Sequence, residues 1–170
     1  MNDQPPVLAL GLGNLLLGDD AVGLRLLEML QAESADPRVE FVDGGTQGIS
    51  LTGYLANRRG VLVLDAIGLG AAPGTVHVLR RDDVTNMRAR RASNAHEGNG
   101  LGLLETARLL GDWPDEVAVV GLEPACVRTG IGLSPEVETG LQDALSEARE
   151  ILRDYIGEEP YVSGRARQDR

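Results

Sequence analysis

The run Val61-Leu62-Val63-Leu64, apolar at every position and ending at Asp65, does most to limit what this chain can fold into. A strand with no polar face has nothing to offer water, so it belongs in a sheet covered on both sides. Val7 to Leu12 and Val117 to Leu122 read the same way, and Val39 to Val42 is a further strand that ends at Asp43-Gly44-Gly45-Thr46. Helical patterns lie between them. From Ala21 to Leu30, Val22, Leu26, Met29 and Leu30 recur at spacings of three and four, with Asp19 and Asp20 at the amino end where carboxylates suit the helix dipole. A short helix is expected from Ile49 to Asn57, and another resumes near Leu101. Ser134-Pro135 opens a last helix with an N-cap residue and a proline at the first helical position. Its apolar stripe runs Val137, Leu141, Leu145, Ala148, Leu152, Tyr155.

Two segments read differently. Val76 to Leu79 alternates as an edge strand does after the Pro73-Gly74 turn, which places His77 toward solvent. Residues 82 to 100 carry charges, Asn and Gly without a clear period and are read as a mobile surface loop. Trp113-Pro114 reads as a surface turn before the fifth strand. Strands alternating with helices predict an α/β fold: a three-layer sandwich with a mostly parallel, twisted sheet of about five strands, helices on both faces and one antiparallel edge strand. The 170 residues suit a single domain, expected over 1–157, with a polar tail from 158 to 170 that is expected to be disordered.

Composition removes several function classes. The net charge of -10 repels polyanions, so nucleic acid is not an expected partner. All 16 basic residues are Arg, and without Lys there is no P-loop lysine, no Schiff base and no catalytic ammonium. The short run Arg88 to Arg91 reads as a solvated loop. Cys126 is the single cysteine and permits no internal disulfide. No signal-like start and no apolar run of membrane-spanning length is present, so a cytoplasmic monomer without membrane contact is expected.

In folds of this kind ligands bind outside the carboxyl ends of the strands, where the strand order reverses. The loops after the parallel strands bring Asp19, Asp20, Asp43, Asp65 and Glu123 to that edge. Carboxylates crowded on one rim repel one another unless a cation, a donor or water screens them. An acid at a strand end is as often a cap or turn former as a ligand. If a metal is held, Asp20 and Asp65 supply oxygen and His96 supplies the imidazole nitrogen that zinc or nickel favours over magnesium.

The segment Gly11-Leu12-Gly13-Asn14-Leu15-Leu16-Leu17-Gly18-Asp19-Asp20-Ala21-Val22-Gly23 resembles the opening motif of the hydrogenase maturation endopeptidases. Asp43-Gly44-Gly45-Thr46, Asp65-Ala66, Pro73-Gly74-Thr75, His96, Gly121-Leu122-Glu123-Pro124 and Gly132-Leu133-Ser134-Pro135 follow in that family's order, so the resemblance covers residues 7 to 156. It implies a metal-directed, aspartic-type endopeptidase that removes a carboxyl-terminal extension from the large-subunit precursor of a nickel-iron hydrogenase after nickel insertion, and so activates that enzyme. It implies that Asp20, Asp65 and His96 are the catalytic and nickel-recognising residues. Asp43, Gly44, Gly45 and Thr46 are then the substrate-selecting loop. Nickel is supplied by the client, and zinc or cadmium can stand in for it in vitro. Two alternatives use the same residues. A dinucleotide-binding domain would want Gly-x-Gly-x-x-Gly, whereas the spacing here is Gly11, Gly13, Gly18. A receiver-like signalling domain would use the acidic pair and Asp65 but needs a Lys.

Overall fold

A computed structural model describes residues 4–90 and 100–157 of the chain. Its sheet has five strands in the order β2-β1-β3-β5-β4. These are β1 (Val7–Leu12), β2 (Val39–Gly45), β3 (Gly60–Ala66), β4 (Val76–Arg80) and β5 (Glu116–Leu122). β1, β2, β3 and β5 are parallel, and β4 closes one edge antiparallel to β5. The sequence pattern predicted this arrangement for a physical reason: every residue of β1 is buried, as only a doubly covered strand can be.

The helices are α1 (Val22–Glu33), α2 (Thr52–Leu55), α3 (Arg81–Arg90), α4 (Gly100–Leu110) and α5 (Pro135–Ile156). Alternate side chains of each strand face opposite layers. Val7, Ala9, Leu62, Leu64 and Val120 pack under α1 and α5, while Leu8, Leu10, Val61, Val63 and Val119 pack against Leu51, Leu55, Leu103 and Leu104 from the α2 and α4 side. α5 begins as the sequence suggests: Ser134 is its N-cap and accepts from the Val137 N–H, Pro135 is its first residue, and Gly157 ends it with a left-handed φ of 80°.

The structure corrects several boundaries. Helix does not begin at Ala21; a 3-10 turn over Gly18–Ala21 precedes α1, which runs on to Glu33. The helix expected from Ile49 to Asn57 is a 3-10 turn, Gly48–Leu51, followed by the single turn of α2, and Asn57 ends it at φ 59°. The expected loop over 82–100 starts as helix α3, which packs Val84 into the core although its sequence is too polar to show an apolar period. Arg81 fastens that helix, with its guanidinium 5.5 Å from the Trp113 ring and hydrogen bonds to the Pro114 and Asp115 carbonyls. Trp113-Pro114 is thus a packed turn, with Pro114 buried, rather than a surface one. The remainder of that expected loop, residues 91–99, and the tail 158–170 lie outside the described residues.

Close approach of α1 to the sheet depends on Gly23. A Cβ there would lie 2.3 Å from both the Leu12 and the Leu64 carbonyl oxygens, so the helix crosses directly over the β1–β3 junction on a residue without a side chain. That junction is the point where the chain, having placed β2 on one side of β1, turns to the other. We expect Gly23→Ala to cost about 2 kcal/mol or more by forced displacement of the helix. Gly53→Ala, where a Cβ meets nothing within 4 Å, should instead stabilise by roughly 0.5 kcal/mol. Urea unfolding of the two variants measures the contrast.

Candidate active site at the carboxyl edge

Five carboxylates were expected to share the rim, and they divide by what surrounds them. Asp19 is 1% exposed. Its Oδ2 accepts from the Ala125 N–H at 2.8 Å, the Cys126 N–H at 2.9 Å and the Ser134 hydroxyl at 2.9 Å, and its Oδ1 from the Ser134 N–H at 2.6 Å. Burial works to raise its pKa, but the Ser134, Cys126 and Ala125 donors outweigh burial and hold the carboxyl below its ordinary range. Asp19 therefore ties the loop after β1 to the β5–α5 connection and to the amino end of α5. It is not a free acid on a rim.

Glu123 does the same on the other flank. Its carboxylate accepts from the Leu69 N–H at 2.8 Å and the Gly70 N–H at 3.0 Å, and its Oε2 lies 2.8 Å from His77 Nε2. Burial works upward again, and the Leu69, His77, Gly70 and Ala71 donors hold Glu123 low. His77 does not face solvent as its alternating strand suggested; its side chain is 12% exposed and its ring is paired with the buried Glu123 carboxylate.

The other carboxylates are the candidate site. Asp65, at the end of β3, is 6% exposed. Its Oδ1 accepts from its neighbour's amide, Ala66 N–H, at 2.9 Å, and its Oδ2 from Gly100 N–H at 2.8 Å. Gly100 is the first residue of α4, so Asp65 sits at a helix amino end. A Cβ on Gly100 would lie 2.6 Å from Val63 Cγ1 and 3.3 Å from Asp65 Oδ2, and glycine lets the helix start against the carboxylate. Burial pushes the Asp65 carboxyl up to about 7; the Gly100 amide opposes this, the negative charge of Asp20 adds to it, and the Ala66 amide again opposes it. Asp20 is half-buried in the 3-10 turn and accepts the Asn14 N–H at 2.8 Å on Oδ2. The structure thus places Asp20 near enough for its charge to act on Asp65.

Gly13 makes the turn from β1 toward Asp20 possible. Its φ is 134°, and a Cβ would meet the Asp20 carbonyl oxygen at 1.9 Å. The glycines of the first motif serve this packing rather than approach to a pyrophosphate. Asp43, Gly44, Gly45 and Thr46 lie beside it. Gly45 O accepts from Gly13 N–H at 3.0 Å, Asp43 Oδ1 accepts from Gly45 N–H at 3.0 Å, and Gly44 is the extra residue where the β1–β2 register shifts. Asp43 and Thr46 are left exposed at the site's margin. His96 lies outside the described residues. Among the described residues no group of three or more His, Cys, Asp or Glu side chains could hold a metal ion, and no helix is long and apolar enough to cross a membrane.

Two features were not legible beforehand. The Asp19–Ser134 link joins positions 115 apart in sequence, and no local pattern encodes it. Gly100 as the partner of Asp65 had one weak signal, a glycine just before the apolar run of α4.

Fold and geometry define a small α/β domain with a candidate paired-aspartate site at its topological switch point. A family model described as hydrogenase maturation protease matches residues 24–151. The hydrogenase 2 maturation protease of Escherichia coli K12 is 37% identical over 150 residues, covering 87% of this chain and 91% of that protein. The expression/formation protein HupM of Azotobacter chroococcum is 35% identical, covering 88% of this chain and 72% of that one. Among solved structures, the hydrogenase maturating endopeptidase HybD from Escherichia coli superposes with a TM-score of 0.76 at 36% identity, covering 87% of this chain and 92% of that chain. This chain belongs to the hydrogenase maturation protease family, whose members are hydrolases.

Two stability predictions follow from the opposite shifts. Asp19 is depressed in the fold, so its stabilisation is present above the ordinary carboxyl range and is lost as pH falls through its folded value. Asp19→Ala should cost about 3 kcal/mol or more at neutral pH by leaving buried amides unpaired, read by urea unfolding. Asp65 is raised, so between its ordinary 3.8 and about 7 the fold holds more protons than the unfolded chain, and its contribution falls as pH rises through that window. Unfolding free energies at pH 5 and pH 8 should show this decline in wild type, on the order of 3 kcal/mol, and a flatter profile in Asp65→Asn.

Proposed function

We propose that the chain is an endopeptidase that removes a carboxyl-terminal extension from the large-subunit precursor of a nickel-iron hydrogenase once nickel has been inserted. Nickel in the client is recognised by Asp20, Asp65 and His96. The observation that carries this reading is the pair Asp20 and Asp65, two carboxylates at the carboxyl edge of the sheet, one of them buried and within range of the other's charge, with no Arg or Lys hydrogen-bonded to either among the described residues. Such a pair is completed by an arriving cation. A client-borne divalent ion there supplies Lewis acidity toward a carbonyl or a bound water.

The chain's own contribution is orientation. Asp65 is aimed by the Gly100 and Ala66 amides, and Asp20 by the Asn14 amide, so each keeps an oxygen direction for the incoming ion. Asp43 and Thr46, exposed on a loop shaped by Gly44 and Gly45, select the client beside that point. The ion comes with the substrate, so the site registers that nickel insertion is complete. The protein works in the cytoplasm, where its client is assembled.

Incubation with a nickel-loaded large-subunit precursor tests the reading. Asp65→Asn, Asp20→Ala and His96→Ala should each reduce cleavage by about a hundredfold or more while circular dichroism shows a retained fold. Wild-type rates in the Asp65 and His96 variants would overturn it. Metal analysis of the purified protein should find no stoichiometric ion; a full equivalent of zinc in the free enzyme would contradict recognition of the client's own metal.

A further inference from the structure

The loops beside the candidate site expose apolar side chains in a pattern that the reaction does not use. Among the described residues, Leu15 and Leu16 are each 60% exposed, Val127 49% and Ile131 88%. Ile49 and Leu69 stand on the segments after β2 and β3, so six of the exposed large hydrophobics lie on the carboxyl-edge loops, and the other three lie on α2 and α4. Large exposed apolar side chains gathered on one face mark a surface that another molecule covers.

The central four are held on a rigid support. Gly130 N–H donates to the Leu16 carbonyl at 2.9 Å, Gly18 N–H donates to the Gly130 carbonyl at 2.9 Å, and Leu17 and Gly130 form a parallel bridge. The Leu16 N–H donates to Asn14 Oδ1, and Asn14 N–H to Asp20. Asp19 binds the amides of Ala125 and Cys126 just before Val127, and that of Ser134 just after the loop. A loop fixed by this many hydrogen bonds has already lost the freedom that would let it fold Ile131 and Leu16 inward, and it meets a partner with little further ordering cost.

We infer that Leu15, Leu16, Val127 and Ile131 form a docking ridge for the folded body of the client large subunit, separate from the extension that is cut. The inference rests on the proposed function, since continuity of the ridge with Asp20 makes the client the molecule that covers it. Two points favour the folded body over the extension. An extended peptide is gripped by a groove or a sheet edge through its backbone. Side chains standing out to 60% and 88% are instead knobs that fill apolar hollows on a shaped surface, as interface anchors do. The ridge also spans the β1 and β5 loops, which the Gly18 and Gly130 amides and the Asp19 carboxylate join into one support.

Binding of the full-length chain to the nickel-loaded precursor and to the mature large subunit lacking its extension, by biolayer interferometry, tests this. Wild type should bind both. Leu16→Asp and Ile131→Asp should each weaken both complexes by about tenfold or more with an unchanged melting temperature, while Leu110→Asp, at a position 62% exposed on α4, should bind as wild type does. Unchanged binding of the ridge variants, no binding of the mature subunit by wild type, or weakening confined to the precursor would overturn the inference. Asp65→Asn keeps the two readings apart: it should bind the precursor but not cut it. Normal cleavage by that variant would defeat the proposed function, while the ridge would still be judged by the binding data.

Discussion

One buried carboxylate organises the working edge of this protein. Asp19 accepts hydrogen bonds from three backbone amides and one hydroxyl, all contributed by residues 125 to 134, and so joins the loop after β1 to the start of α5. A buried charge without donors would be costly, and a buried charge with four of them is a strong tether. Ser134 is used twice, since its hydroxyl donates to Asp19 and also accepts from Val137 N–H to cap α5. Asp20 and the Leu15–Ile131 ridge are positioned by this same tether, because Asp20 is the next residue and the ridge loops are the segments it ties.

Glu123 repeats the device across the site, where its carboxylate gathers the loop that leaves β3 directly after Asp65. The two tethers explain how a chain of net charge -10 can place several acids on one edge. Asp19 and Glu123 are satisfied internally and shape the loops; Asp20 and Asp65 are the pair on which the proposed function rests. Between the tethers, α1 presses on the β1–β3 junction through Gly23, and α4 begins against Asp65 through Gly100. Both contacts are backbone-close, so the geometry of the aspartate pair is set by main-chain packing, with little left to side-chain adjustment.

Much of this was legible beforehand, unevenly. Strands β1, β3 and β5 announce themselves because burial on both faces demands unbroken apolar runs. α5 does so through its stripe and its Ser134-Pro135 start. Helix α3 was missed because only Val84 and Met87 of its described side chains are apolar, and two apolar positions among charged and polar ones give periodicity too little signal. His77 was misplaced because alternation reports only which side of a strand a residue faces, and on that side its ring is paired with the Glu123 carboxylate. Asp19 and Asp20, adjacent and identical, have no local pattern that tells them apart, and only the family resemblance singled out Asp20. Asp19 points into a nest of amides supplied by residues more than a hundred positions away, while Asp20 stays half-buried and accepts the Asn14 amide.

By itself, the sequence determined the α/β class, the parallel core with its edge strand, membership motifs of a protease family and the set of acids that reach the carboxyl edge. These follow from local pattern, since strand burial, capping and glycine turns are encoded within a few residues. Only the tertiary structure decided which acids are tied up as tethers, that Asp65 lies buried at the amino end of α4, and that apolar side chains stand exposed on the carboxyl-edge loops. Those outcomes depend on donors and walls brought together from distant segments, and a carboxylate's role is fixed by the groups that surround it.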